Sequence, residues 1–227
     1  REKMSNVRKA TVKAMAASWA TVPHVTLHAE ADVTAIEAMR QKNKKRAEQA
    51  GGKLTVTAIL LKVVAGALKA HRNVNAAVDA ASNEIVYRDY IHIGVAADTD
   101  RGLVVPVVRD VDQKGIIDIA VELTDLAERA RAGRLSLDEM AGATFTLTNL
   151  GGMGIGFFTP IINHPQVSIL GVGLASERLV PDGEDVETRL IMPLSLSIDH
   201  RVVDGADGAR FLQYITAALS EPMATTL

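Results

Sequence analysis

Helical and strand periodicities both run through this sequence, but not in strict alternation. That mixture most constrains what the chain can fold into. Residues 5–19 place Val7, Val12, Met15, Ala16 and Trp19 at helical spacing behind Ser5, a good N-cap, and Pro23 ends that helix. Residues 24–33 then alternate, with Val25, Leu27, Ala29 and Ala31 on one face, as a strand does. A charged helix from Thr34 stops at Gly51 and Gly52, and a more apolar one, capped by Thr55 or Thr57, runs to Ala70. Strands are expected at 85–87, 91–96 and 103–108, with Pro106 marking the last as an edge or irregular strand. An amphipathic helix over 116–132 ends at Gly133, and Ser136 opens a short one. Strands follow at 145–148, 167–173 and 190–198, then a final helix from about Asp207 to Ser220, stopped by Pro222. Such an order predicts one α+β sandwich over residues 1–227, a mixed sheet covered by helices.

Composition removes whole classes of function. There is no cysteine, so disulfides, thiolate metal sites and a cysteine nucleophile are excluded. A net charge of −2 gives no basic field for nucleic acid or a membrane surface. Aromatic residues make up 4 %, too few for a base-stacking platform. The most apolar window, 56–67, is broken by Lys62, so no membrane span is expected and a cytoplasmic setting is the default. The chain opens on Arg1, which points to a piece of a longer polypeptide. His24 and His28 share a strand face with no third ligand beside them, so no metal site is expected.

Two stretches suit chemistry. His200 follows the apolar strand at 194–198, with Asp204 and Gly205 four and five residues on. A strand end leading into a glycine-containing turn presents a side chain to a cleft, and imidazole suits proton transfer near neutral pH. The plain alternative is a loop histidine beside a turn aspartate that starts the last helix. In the second stretch Thr144, Thr146 and Thr148 share a strand face, and Asn149 leads into Gly151, Gly152, Gly154 and Gly156. There a hydroxyl at Thr148 meets a ligand where glycines allow close approach; the alternative is three surface threonines and a flexible loop. The glycine spacing fits neither the dinucleotide fingerprint nor the phosphate loop with its lysine. The basic run Arg40, Lys42, Lys44, Lys45 and Arg46 reads as the solvated face of a helix or as attraction for phosphates.

Residues 144–152, 158–171 and 195–205, taken in order, resemble the catalytic core of dihydrolipoyl acyltransferases of 2-oxo acid dehydrogenase complexes. Arg8-Lys9, Pro23-His24-Val25, Asp32-Val33-Thr34 and residues 102–108 extend the resemblance over essentially the whole chain. It implies a chloramphenicol-acetyltransferase-like sandwich, a homotrimer with active sites between subunits, and a cubic or dodecahedral core joined through a C-terminal apolar anchor. His200 would be the catalytic base, Thr148 the oxyanion donor, Asp204 the aspartate holding the histidine loop and Gly205 the motif glycine. Asn149, Gly151 and Gly152 would border the substrate. The acyl donor would be a lipoyl group on a separate domain and the acceptor coenzyme A, with no metal. Lipoyl and subunit-binding domains are not in this sequence; lipoyl domains and the dehydrogenase components would be partners. Residues 162–165 look more like acetyl and branched-chain members than succinyl ones, so the acetyltransferase of pyruvate dehydrogenase is expected. A branched-chain or succinyl enzyme, a catalytically silent core subunit and a stand-alone acetyltransferase are the alternatives. Asp204 is expected to pair with Arg8, Arg101 or Arg109 rather than with His200 directly.

Overall fold

A computed structural model describes residues 1–100 and 102–222. Helix α1 (Asn6–Thr21) begins as expected, with the Ser5 hydroxyl accepting from the Arg8 amide at 3.1 Å. Strand β1 (His24–Asp32) leads to α2 (Thr34–Gln49) and α3 (Val56–Ala70), the latter capped by Thr55, whose hydroxyl accepts from the Ala58 amide. Then come β2 (Ala76–Asp79), β3 (Glu84–Tyr87), β4 (Ile93–Val95) and β5 (Val107–Val108). Helix α4 (Ile116–Arg131) precedes β6 (Phe145–Asn149), β7 (Ser168–Val172), β8 (Ser176–Asp182), β9 (Asp185–Asp199) and α5 (Gly205–Ser220).

The main sheet runs β1-β9-β7-β6-β4-β5, with β8 also on β9; β4, β6 and β7 are parallel and the remaining pairs antiparallel. Its alternation explains the core. Leu194, Leu196 and Ile198 of β9, Leu170 and Val172 of β7, and Phe145 and Leu147 of β6 are buried in one cluster with apolar side chains of α3 and α5. Val25, Leu27 and Ala29 of β1 pack on that cluster, as the period of two predicts. Helix α5 lies so close to β1 that a Cβ on Gly208 would stand 2.7 Å from Leu27 Cδ1.

The opposite face carries the intervening polar residues. Thr26 meets Ser197 at 2.9 Å and His28 Nδ1 meets Ser195 at 3.0 Å. The segment between β6 and β7 covers it: the Phe158 amide donates to Ser195, and the Ile162 amide donates to His24 Nε2 at 3.0 Å. His24 is therefore a structural hinge pin, its Nδ1 donating to the Val22 carbonyl at 2.8 Å.

Two expected elements are corrected and two strands are added. The strand at 103–108 shrinks to Val107–Val108 plus a single bridge from Val104 to Ala97, because Pro106 has no amide to extend the ladder. Strands β2 and β8 carry no clear period of two: β2 is four residues long and opens on two buried alanines, and β8 is mostly exposed with mixed side chains. Helix α5 starts at Gly205 rather than Asp207. Of the apolar residues spaced along α1, Val7 and Met15 are partly buried, whereas Val12 is exposed and Trp19 is 64 % exposed; Ser18 is buried and donates to the Ile162 carbonyl at 2.6 Å.

Candidate active site

His200 stands in the turn between β9 and α5. Its amide donates to the Pro23 carbonyl at 3.1 Å, tying the turn to the start of β1. The imidazole is 43 % exposed, so it is presented to the surface and not packed away. Asp204 is the N-cap of α5; its carboxylate is 83 % exposed and lies 4.0 Å from His200 Nδ1, too far for a hydrogen bond. Among the described residues Asp204 has no arginine within ion-pair distance. Arg109 spends its guanidinium on the carbonyls of Asp138 and Ala141. Arg101 lies outside the described residues, as does the expected C-terminal anchor at 223–227. Within one chain the Asp204 carboxylate is well solvated and needs no arginine to offset burial.

Thr148 lies near the C-terminal end of β6, half-buried, in register with Gly171 of β7, which is itself in register with Ser195 of β9. Thr144 and Thr146 share its face but are buried, not surface threonines; Thr146 donates to Gln166 at 2.6 Å. The Thr148 hydroxyl has no hydrogen-bond partner among the described residues. Phe158 was not singled out from sequence, yet its ring lies over Gly171, where a Cβ would stand 2.7 Å from it. Residues in register share a face, so this ring forms a wall beside Thr148. The signal was the glycine itself: among the Ile, Leu and Val of β7, Gly171 makes room for a large neighbour.

The expected substrate-bordering residues separate into two kinds. Asn149 closes its own turn, its Oδ1 accepting from the Gly151 amide at 2.9 Å while its Nδ2 donates to Thr57 at 3.2 Å. Gly151 is needed by backbone packing, since a Cβ there would stand 2.7 Å from the Gly173 carbonyl oxygen. Gly152 and Gly205 have open space where a Cβ would go. Beside this turn a cavity of about 270 Å³ opens at the ends of β4 and α3, lined by Thr55, Thr57, Val95 and Ala97, with Lys53 and Arg131. The basic run on α2 is a solvated face, with Arg40 held by Glu37 at 2.7 Å.

One distance decides what a single chain can do. Asp199, the last residue of β9, lies four residues beyond Ser195, and Thr148 lies two strands away in the row of Ser195. At about 3.3 Å per residue and 4.8 Å per strand, the backbones of Asp199 and Thr148 are about 16 Å apart in one chain, and His200 follows beyond that strand end. They sit toward opposite ends of the sheet because β6 and β9 run in opposite directions. No proton or hydrogen bond spans that gap within one chain.

The family model described as 2-oxoacid dehydrogenases acyltransferase (catalytic domain) matches residues 1–227. The dihydrolipoyllysine-residue acetyltransferase component of the pyruvate dehydrogenase complex of Cupriavidus necator is 44 % identical over 218 residues, 96 % of this chain. The chain spans 39 % of that relative's length. A solved structure of dihydrolipoamide acetyltransferase from Azotobacter vinelandii, a study of a serine, a histidine and an asparagine in its catalytic mechanism, has a TM-score of 0.97 at 44 % identity, covering 100 % of this chain and 93 % of that one. The cubic core of a pyruvate dehydrogenase multienzyme complex has a TM-score of 0.96 at 43 % identity, with the same coverage. A chloramphenicol acetyltransferase, 16 % identical with a TM-score of 0.57 over 91 % of this chain and 94 % of its own, shares the fold.

Proposed function

This chain belongs to the 2-oxoacid dehydrogenase acyltransferase family, and from that premise we propose that it transfers an acetyl group from acetyl-dihydrolipoamide to coenzyme A. The observation that carries the reading is a spacing. In the Azotobacter vinelandii enzyme the serine precedes the histidine by 52 positions and the asparagine follows it by four; Thr148, His200 and Asp204 repeat both intervals. The hydroxyl is kept as threonine, and a carboxylate stands where that enzyme has an amide.

The chemistry follows from the groups. His200 takes the proton from the coenzyme A thiol, and the thiolate attacks the thioester carbonyl carbon. The new C–S bond leaves the carbonyl oxygen negative, and Thr148 of a neighbouring copy donates its hydroxyl hydrogen bond to it. Collapse breaks the C–S bond to dihydrolipoamide, whose sulfur takes the proton back from the imidazolium. Bonds and charge balance, with no covalent enzyme intermediate. A thiol near pKa 8.5 and an imidazole near 6.5 make full proton transfer cost about 2.7 kcal/mol, low enough for a general base to serve. Such a base contributes about 10²–10⁴-fold, and an oxyanion donor about 10²–10³-fold. Threonine suits the second role because its branched Cβ restricts χ1 and pre-aims Oγ1.

The lipoyl group is carried by a separate domain, and the copies assemble as a homotrimer with the active site between subunits, within a larger core that also binds the dehydrogenase components. The exposed Val12 and Trp19 of α1 and the separation of His200 from Thr148 support this assembly. The cavity beside Asn149 is lined by Asp98 and Glu128 as well as Lys53 and Arg131, so its charges balance, and its apolar wall along β4 suits the alkyl part of an acyl-carrier arm.

Initial rates with dihydrolipoamide and acetyl-, propionyl-, isobutyryl- and succinyl-coenzyme A test the reading. Acetyl-coenzyme A should give the highest kcat/KM. A higher value for isobutyryl- or succinyl-coenzyme A would move the assignment within the family, and no exchange with any donor would remove it.

A further inference from the structure

We propose that Asp199 and Arg201, the two residues bracketing His200, form a clamp that positions its imidazole. This rests on the reading of His200 as the base. Asp199 ends β9 and is buried, its side chain 1 % exposed. Its carboxylate takes Arg201 Nη2 at 2.6 Å, Nε at 2.9 Å and the Arg201 amide at 3.1 Å. Its amide donates to the Val167 carbonyl at 2.8 Å, and its own carbonyl accepts from both Val202 and Val203 at 3.0 Å. The residue before the histidine thus holds the side chain and backbone of the residue after it, and fixes the rest of the turn.

The arrangement has a mechanical consequence. A single planar fork closes a loop of three residues, so the peptides on either side of His200 cannot rotate independently. With the His200 amide held by Pro23, the freedom left to the base is mainly that of its own χ angles. A site shared between two chains needs this, because errors in placing His200 add to those in docking the chains. Placement errors of about 1 Å can reduce turnover by about 10²-fold. An exposed pair would serve poorly: the carboxylate is buried, so its charge is committed to the one guanidinium beside it.

The test is a double-mutant cycle on the assembled protein. Arg201→Lys keeps the charge and removes the fork, and Arg201→Gln removes both. Each is made in wild-type and in His200→Ala backgrounds. Rates of acetyl transfer from acetyl-coenzyme A to dihydrolipoamide are normalised to assembled protein by sedimentation, below the unfolding temperature of each variant. Arg201→Lys should lower kcat by about 10–100-fold, with both KM values within about twofold, and should have no further effect once His200 is alanine. An equal loss in both backgrounds, or a loss that tracks the assembled fraction, means a structural role and overturns the clamp. Wild-type kcat for both Arg201 variants overturns it too. Should His200→Ala alone retain full activity, the base assignment fails first, and the two failures are told apart.

Discussion

Replacing Thr148 by valine isolates the oxyanion contribution. The change swaps a hydroxyl for a methyl on an otherwise similar branched side chain. The strand around it is held by backbone pairing of residues 146–149 to 169–172, which the substitution leaves alone. Because the hydroxyl has no hydrogen-bond partner among the described residues, no bond within the chain is lost, and the stability change should stay within about 1 kcal/mol. The loss falls on the transition state instead, where a missing donor costs about 2.7–4 kcal/mol, or about 10²–10³ in kcat. Substrate binding should hardly change, since the ground-state thioester carbonyl carries little charge. Thr148→Ser restores the donor and should restore most of the rate, at some cost from the looser χ1. Steady-state kinetics with dihydrolipoamide and acetyl-coenzyme A, alongside thermal unfolding, read both quantities. A valine variant with kcat within about threefold of wild type would refute the assignment.

Two further outcomes concern the frame of the site. In Gly173→Ala the new Cβ would overlap the Gly156 carbonyl oxygen, with the Gly156 carbon 2.8 Å and the Ile155 oxygen 3.0 Å away. These are backbone atoms that cannot swing aside, so a loss of about 1–3 kcal/mol is expected, at about 2–4 °C per kcal/mol in the unfolding midpoint; an unchanged midpoint contradicts the packing of residues 155–156 on β7. Hydrogen bonds from Arg40 hold the Glu37 carboxyl below its usual range. Its contribution is therefore present above the unfolded-state value and lost as pH falls through the folded one, so the midpoint gap between wild type and Glu37→Gln should be widest near neutrality and close on acidification. A gap independent of pH would contradict the ion pair.

Much of this was legible in the sequence because burial on one side writes itself as period. The alternation of Leu and Ser in 194–198 gave both the strand and its two faces, and Thr55 and Ser5 announced helix starts by their capping chemistry. The site residues were legible as types in order: a histidine at a strand end, a threonine before glycines. What stayed hidden was relational. Asp182-Gly183 is a local hairpin signal for the pairing of β8 with β9, but the exposed, mixed side chains of β8 obscure the strand itself, and the Phe158 ring over Gly171 joins residues thirteen apart through a covering segment. The exposure of Val12 and Trp19 on α1 was hidden too, because periodicity reports apolar residues on a helix without saying which of them are covered. Asp199 and Arg201 read as ordinary flanking charges until the fold closed them on each other.

The claim on which the account turns is that each site is shared, with His200 and Thr148 from different copies. Co-expressing equal amounts of His200→Ala and Thr148→Val chains tests it. In a closed ring of head-to-tail contacts, about one quarter of the interfaces would pair an intact His200 with an intact Thr148. Transfer should therefore recover to about a quarter of wild type, although each variant alone is nearly inactive. If the co-assembled protein is no more active than the single variants, the two residues do not act across an interface, and the mechanism built on them is wrong.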